Sequence, residues 1–297
     1  MTGAARRKIA TGTAATVAVL AVCSAAVIGE LDTIRTVVRG REATVVLREG
    51  WSMFDHAAAL DAAGVAPAAE FLAACRDVGL LGEFGIPAAD AEGFLFPDTY
   101  RFSVPTPAAA VVRRLIGTFR ARVDPAIASR RVAFDRLGRA LGADPLVALV
   151  TVASIVEAET PVPAERPLVA SVAWNRLTGL DPSVRGLQMD PTVSYGCRRL
   201  PSLPSCAGWD GAEPTRAMLA DASNPYNTYR SGGLPPGPIG NPGLASIVAV
   251  LEAKQTPYIY FVARGDGTHE FSRTYEEHAR AVRKWRRRDP AAAARSP

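Results

Sequence analysis

An almost continuously apolar segment near the middle of the chain, Leu146 to Thr160, constrains the fold more than any other stretch. A helix that is hydrophobic on every side is normally buried, so this segment predicts a core helix around which the other elements pack. Asp144 is a suitable N-cap, and Pro145 suits the first helical position, where its missing N–H costs nothing. Pro161 and Pro163 predict a sharp end to the helix.

Two carboxylates, Glu157 and Glu159, stand at the end of this helix. Desolvation raises the pKa of a buried carboxyl, and a proton held at neutral pH is what a general acid needs. Residues two apart point about 200° apart around a regular helix, so the two glutamates cannot both face one site. We select Glu157 as the candidate catalytic acid because it directly follows the apolar Ile155 and Val156. The alternative is that both glutamates are surface residues in a fraying last turn.

The N-terminus predicts a membrane anchor. Residues Ala10 to Ile28 carry no charge and approach the roughly 20 residues that a spanning helix needs. Basic residues at positions 6–8 predict that the chain starts in the cytoplasm. A signal peptide cleaved near Cys23 to Ala26 is the alternative, but we favour an uncleaved single-pass anchor within residues 1–30. Both an uncleaved anchor and a cleaved signal peptide predict that the rest of the chain lies outside the cytoplasmic membrane.

Composition narrows the classes of partner. The 297 residues are 48% hydrophobic, enough for a core in one large or two small domains. The net charge of +5 comes largely from the two ends of the chain. The C-terminal basic cluster fits a solvated helix end, with attraction to an anionic polymer or lipid surface as the alternative. No basic motif is interleaved with aromatic residues, so nucleic acid is not an expected partner.

No Cys/His spacing resembles a zinc site, and no metal is expected.

The first segments after the anchor predict a small unit. A strand over Ala43–Leu47 precedes Ser52, which is a suitable N-cap for a helix over Met53–Ala63, and a second helix is predicted over Pro67–Asp77. This unit is either a binding module or an accessory subdomain without a ligand. The aromatic segment that follows, Glu92–Phe102, suits stacking on sugar rings or filling a domain junction.

The rest of the chain predicts mostly helices. Leu187–Gly196 has the character of a polar loop or short strand, because Asp-Pro is a turn signal. Outside the cytoplasm, Cys197 and Cys206 are expected to form a disulfide that closes a proline-rich loop. The remaining predicted elements are helices over Thr106–Val123, Ile127–Leu141, Glu165–Leu177 and Leu244–Glu252, a hairpin from Tyr258–Ala263 to His269–Phe271, and a closing helix over Tyr275–Arg286.

Six segments, in this order, resemble the endolytic murein transglycosylase (YceG-like) family: Glu92–Phe102, Ala153–Thr160, Leu187–Gly196, Asn224–Tyr229, Leu234–Gly243 and Tyr258–His278. The resemblance implies an α+β protein of the bacterial inner membrane, with its catalytic domain on the extracytoplasmic side. It implies an N-terminal transmembrane helix within residues 1–30, a small LysM-like module and junction over 43–103, a larger mixed α+β catalytic domain over 104–288, and a disordered tail over 289–297.

The resemblance also implies a reaction. Members of the family cleave the β-1,4 bond between N-acetylmuramic acid and N-acetylglucosamine inside glycan strands and leave 1,6-anhydro ends. The catalytic glutamate of the family lies in an S-I-V-E-x-E-T segment and falls on Glu157 of this sequence. No cofactor is implied. Glycan strands of peptidoglycan are the implied substrate, and wall synthases are implied partners. The loop between Cys197 and Cys206 departs from the family pattern.

One carboxylate suffices for such a reaction, because the 6-hydroxyl of the sugar is a tethered nucleophile. Glu159 is expected to support Glu157, and Asp190 either stabilises positive charge on the sugar or caps a turn. The candidate substrate-binding or supporting residues are Glu159, Asn175, Gln188, Asp190, Thr192, Tyr195, Asn227 and Tyr229. The alternative functions are a non-catalytic wall-binding scaffold, and a hydrolase that uses Glu157, Asp190 and water.

Overall fold

The computed structural model describes residues 41–286. The predicted anchor within residues 1–30 and the predicted tail over 289–297 lie outside the described residues. Within 41–286, no single helix has the length and apolar character needed to cross a membrane. One pair of consecutive helices, Arg131–Leu141 and Pro145–Glu159, passes on length and composition, but it is bent by 91°.

The N-terminal part of the described chain is a strand–helix–strand unit. Its elements are β1 (Glu42–Val46), α1 (Met53–Ala62), α2 (Ala68–Ala74), α3 (Val78–Glu83) and β2 (Thr99–Ser103). The two strands pair antiparallel, with Glu42 opposite Ser103 and Val46 opposite Thr99. Alternate residues of this ribbon, among them Val45, Tyr100 and Phe102, are buried, as the period of two in a strand requires.

The larger part is mostly helical. Its elements are α4 (Ala108–Ala128), α5 (Arg131–Leu141), α6 (Pro145–Glu159), α7 (Arg166–Leu177), α8 (Asp190–Arg199), α9 (Arg216–Ala220), α10 (Leu244–Leu251), β3 (Tyr260–Ala263), β4 (His269–Ser272) and α11 (Tyr275–Arg286). β3 and β4 form the predicted hairpin. The described chain is therefore a mixed α+β fold, as the sequence predicts.

Helix α6 is the predicted core helix. The side chain of Asp144 accepts hydrogen bonds from the backbone N–H groups of Leu146 and Val147, and Pro145 occupies the first turn. Every residue from Ala148 to Val156 is buried. The helix packs against α5, α7 and α10, so the segment's apolar character on all sides is satisfied by neighbours on several sides.

Two local predictions are wrong. Leu187–Gly196 is not a loop or strand, because α8 begins at Asp190. Its Asp-Pro pair resembles a turn, yet proline in a first turn removes only an N–H that has no partner in the helix. The helix predicted from Ile127 begins instead at Arg131, because α4 continues through Pro125 and keeps Ile127 buried.

Glu92 is a buried carboxyl that joins the two parts of the molecule. Its Oε1 accepts from the backbone N–H of Met53 at 2.9 Å and from Nδ2 of Asn241 at 3.0 Å. Its Oε2 accepts from the hydroxyl of Tyr195 at 2.9 Å. Burial raises the pKa of Glu92 to about 8, against the hydrogen bonds from Tyr195 and Met53, which lower it. The start of α1, the middle of α8 and the loop before α10 thus meet at one carboxyl.

This raised pKa predicts a pH-dependent stability. Because folding raises the pKa of Glu92 from 4.5 to about 8, its contribution to stability is complete below the lower value and is lost as pH rises through the higher one. We expect Glu92→Gln to flatten the fall in unfolding free energy over this range by up to about 1.4 kcal/mol per pH unit. Urea denaturation across the range measures it. The exposed Glu70→Gln is the control, and equal slopes in the three proteins would contradict the prediction.

Candidate active site

The two glutamates at the end of α6 have different surroundings. The side chain of Glu157 is only 6% exposed, and its Oε1 lies 2.6 Å from Nη2 of Arg166. Its Oε2 accepts from the backbone N–H of Gly243 at 3.1 Å. Nη2 of Arg166 also lies 3.7 Å from Oε2 of Glu49, and burial, followed by the charge of Glu157, raises the pKa of Glu49. Both oxygens of Glu157 are therefore occupied by donors from the protein.

Glu159, by contrast, lines a cleft of about 340 Å³. Four of the candidate residues predicted from the sequence line this cleft together: Glu159, Gln188, Asp190 and Tyr229. The other lining residues are Arg176, Met189, Tyr260, Phe261, Tyr275 and His278. The cleft combines two carboxyls, Glu159 at the end of α6 and Asp190 at the start of α8, with polar side chains and an aromatic wall.

The pKa of Glu159 suits proton donation. Desolvation is the main cause that raises it to about 8, and the charge of Asp190 adds to the increase, while the charge of Arg176 opposes it. A carboxyl with this pKa is mostly protonated at neutral pH. The residue is still partly exposed at the cleft, so a ligand can reach it.

Asp190 and Tyr229 form a hydrogen-bonded pair beside this carboxyl. The hydroxyl of Tyr229 donates to Oδ1 of Asp190 at 2.6 Å. Asp190 is the first residue of α8, where the helix dipole favours a negative charge. Burial and the charge of Asp190 raise the pKa of Tyr229, so its hydroxyl keeps its proton.

Arg176 is a residue of the cleft that sequence reasoning missed. Its Nε donates to the carbonyl of Ile259 at 2.8 Å, and its Nη1 donates to the carbonyl of Leu187. Its guanidinium carbon lies 5.8 Å from the ring centroid of Tyr260. Nothing in the sequence around α7 distinguishes Arg176 from a surface arginine, because the carbonyls that fix it come from distant segments.

Gln188 has a left-handed backbone at the edge of the cleft, with φ of 52°. Such a conformation costs a non-glycine residue about 1–3 kcal/mol. Its N–H donates to the carbonyl of Thr228, and its side-chain amide donates to the carbonyl of Arg185 at 3.2 Å. The hydrogen bond to Thr228, the residue before Tyr229, helps to hold this backbone conformation.

Both predicted asparagines act within the protein and do not line the cleft. The amide of Asn175 donates to the carbonyls of Thr256 and Tyr258 at 2.7 and 2.8 Å. The amide of Asn227 is fully buried and donates to three carbonyls between Met218 and Asp221. Both side chains organise loops, and their predicted contact with substrate is not favoured by these positions.

Thr192 and Tyr195 of α8 are also engaged inside the protein. The hydroxyl of Thr192 is fully buried and donates to the carbonyl of Met189 at 2.7 Å. The hydroxyl of Tyr195 is bound to Glu92. At the end of the same helix, Cys197 and Cys206 are joined by a disulfide with a Cα–Cα distance of 5.4 Å. These contacts fix α8 and thereby the position of Asp190 at its start.

Comparison with known proteins identifies related chains. Residues 26–284 match the model of the YceG-like family. The endolytic murein transglycosylase of Bacillus subtilis (strain 168) is 33% identical over 200 residues, which are 65% of this chain and 48% of that protein. The endolytic murein transglycosylase of Streptococcus pneumoniae (strain D39) is 28% identical over 195 residues, 64% of this chain and 31% of that protein. The matches thus span about half or less of these relatives.

A solved structure is also similar. The crystal structure of a yceG-like protein from Listeria monocytogenes superposes with a TM-score of 0.64 at 27% identity. The superposition covers 80% of this chain and 75% of that one. The similarity therefore extends over most of this chain.

Proposed function

We propose that this chain, which belongs to the YceG-like family, is an endolytic lytic transglycosylase that cuts glycan strands of peptidoglycan. The observation that carries the proposal is a carboxyl with a pKa raised to about 8 in a cleft that also contains a polar pair and an aromatic wall. The relatives named endolytic murein transglycosylase support the same reaction.

Glu159 is the residue that we propose as the general acid. It faces the cleft with Asp190 and Tyr229, and desolvation favours its protonated form. Glu157, selected from the sequence, stays a prediction that its contacts do not favour, because Arg166 and Gly243 occupy both of its oxygens. Glu157 fits better as a positioning residue that anchors the last turn of α6, two residues before Glu159.

The proposed reaction uses one carboxyl twice. Protonated Glu159 gives its proton to the glycosidic oxygen as the bond from that oxygen to C1 of N-acetylmuramic acid breaks, which releases the N-acetylglucosamine hydroxyl. The carboxylate that results then accepts the proton of the muramyl 6-hydroxyl as that oxygen bonds to C1. The products are a 1,6-anhydro end and a regenerated acid, so no water is consumed. The tethered hydroxyl supplies the high effective concentration.

The neighbours of Glu159 have roles in this scheme. The carboxylate of Asp190, which accepts a hydrogen bond from the hydroxyl of Tyr229, stabilises the positive charge that develops at C1 in the transition state. Arg176 carries the positive charge that opposes the rise in the pKa of Glu159, and it stabilises the carboxylate formed after proton transfer. Gln188 is placed to orient the sugar. No organic cofactor or metal enters the scheme.

Location and modular organisation are further parts of the proposal. The charge-free segment Ala10–Ile28, preceded by basic residues, supports a single-pass anchor in the cytoplasmic membrane with the cleft on the outer side. The unit from β1 to β2 supports a LysM-like module, since its two strands pair antiparallel and its helices lie between them along the chain. A position at the membrane also suits an encounter with the synthases that make new strands.

Product analysis tests this function. Purified protein is incubated with intact sacculi, and the soluble fragments are analysed by mass spectrometry. We expect products ending in 1,6-anhydro-N-acetylmuramic acid, which have the mass of the hydrolysis product less one water. Reducing ends in place of anhydro ends would indicate a hydrolase, and an absence of any product would indicate a wall-binding scaffold.

The pKa of Glu159 predicts the pH dependence of the reaction. The protonated form is the active one, so kcat/KM is expected to be retained below a pKa of about 8 and to fall about tenfold per pH unit above it. Initial rates of release of anhydro products across this range measure the profile. A rate that stays constant well above that pKa would contradict proton donation by this carboxyl.

A further inference from the structure

A second cavity, of about 470 Å³, lies beside α7. It is bounded by α5, by the end of α10 and by the segment 253–257 that follows α10. Consecutive residues of α7 divide between the two sites, because Asn175 lines this cavity and Arg176 lines the cleft. We refer to it as the rear cavity.

The charge of the rear cavity is positive. Arg136 and Lys254 line it, and no aspartate or glutamate does. Within residues 41–286, neither of these two side chains takes part in an ion pair. Two cations that share a concave site without a carboxylate partner favour an anionic ligand.

The other lining residues favour a ligand that is only partly polar. The indole of Trp174 lies in the wall, with the guanidinium carbon of Arg136 at 5.4 Å from its ring centroid. Leu251 and Leu180 add apolar surface, and Thr178 adds a hydroxyl. An aromatic ring beside cations suits a ligand that has a carboxylate on an aliphatic or sugar framework.

We propose that the rear cavity binds the free carboxylates of the peptide chains attached to the glycan substrate. This inference rests on the proposed function, because it takes peptidoglycan as the polymer in the cleft. A strand whose sugar occupies the cleft carries peptides, and these peptides supply both the carboxylates and the aliphatic side chains that the cavity suits. The cavity would then select peptide-bearing strands over bare ones.

The rear cavity and the cleft share a wall, since neighbouring residues of α7 line each of them. Asn175 fixes the carbonyls of Thr256 and Tyr258 from the side of the rear cavity. Arg176 fixes the carbonyl of Ile259 from the side of the cleft. This segment leads directly into β3, whose first residue, Tyr260, lines the cleft. The segment that bounds the rear cavity therefore continues directly into the aromatic wall of the cleft.

Calorimetric binding tests the proposal without turnover. The full chain with Glu159→Gln is titrated with N-acetylglucosaminyl-N-acetylmuramyl tetrapeptide and with the same compound after its carboxyl groups are amidated. Arg136→Ala with Lys254→Ala removes the cations of the rear cavity. Arg139→Ala with Arg216→Ala removes the same charge from exposed surface elsewhere, and is the matched control.

We expect the first pair of substitutions to weaken binding of the acidic compound about tenfold or more, and to leave binding of the amidated compound unchanged. The control pair should bind like the parent. Equal affinity of the parent for both compounds, no binding of either, an unchanged affinity after removal of Arg136 and Lys254, or an equal loss in the control pair would each overturn the proposal. Failure to form anhydro products on sacculi would overturn the proposed reaction separately.

Discussion

Replacement of Glu159 by glutamine is expected to lower the rate of glycan cleavage by about 10²–10⁴-fold, with no loss of fold. The amide cannot donate a proton to the glycosidic oxygen or accept one from the 6-hydroxyl. Because a carboxyl with a pKa of about 8 is mostly protonated at neutral pH, glutamine resembles it in charge and shape. Stability should therefore change little at neutral pH. Release of anhydro products from sacculi is the measurement, with circular dichroism and urea denaturation to verify folding.

Glu157→Gln is the matched comparison, two residues away on the same helix. It replaces the ion pair with Arg166 by a hydrogen bond to a neutral amide and weakens the bond from the N–H of Gly243, so we expect lower stability and a smaller loss of activity. The dependence of the remaining activity on pH should be that of the parent, because Glu159 still provides the proton. If Glu157→Gln abolishes cleavage in a folded protein and Glu159→Gln does not, the acid is Glu157, as first selected from the sequence.

The pH profile separates the roles of the two residues further. A residual activity in Glu159→Gln should lose the fall above the pKa of the acid, because no group of that pKa remains in the cleft. Replacement of a positioning residue changes the magnitude of the rate but leaves unchanged the pH at which the rate falls. The pair of profiles thus distinguishes loss of the acid from displacement of the helix end that carries it.

The sequence was sufficient to predict α6, because its signals are local. An apolar run, an aspartate N-cap, a proline at the first position and two prolines beyond the end all lie between Asp144 and Pro163. The choice between the two glutamates depends on contacts that are not local. Arg166 is nine residues away and Gly243 is 86 residues away from Glu157, and periodicity gives only the angle between the glutamates.

The cleft itself was predicted in part for the same reason. Residue type predicts Asp190 and Tyr229 as site residues, and the structure brings these two together across 39 residues of chain. Polar type alone does not separate a side chain that lines a cleft from one that binds a buried carbonyl, so the sequence also predicts Asn227 as a site residue. Arg176 was missed because its neighbours in space, Leu187 and Ile259, offer only backbone oxygens, which leave no mark in a sequence.

Replacement of Arg166 by methionine should destabilise the fold by about 3–5 kcal/mol, since it leaves Glu157 buried without its cation. The pair is strongly desolvated, with side-chain exposures of 9% and 6%. Urea denaturation at neutral pH measures the loss. The exposed pair of Arg113 and Glu83, at 47% and 46% exposure, is the control, and Arg113→Met should destabilise the fold far less than Arg166→Met.

The double variant Arg166→Met with Glu157→Gln tests the cause of this loss. If an uncompensated buried charge is responsible, glutamine at 157 should restore about 1–3 kcal/mol of the stability lost by Arg166→Met alone. If the aliphatic packing of the arginine is responsible, the two losses should add. Because Glu157 lies two residues before Glu159 at the end of α6, the restored variant should also recover cleavage activity. If Glu157→Gln alone is active and the stable double variant is not, Arg166 itself is needed for activity.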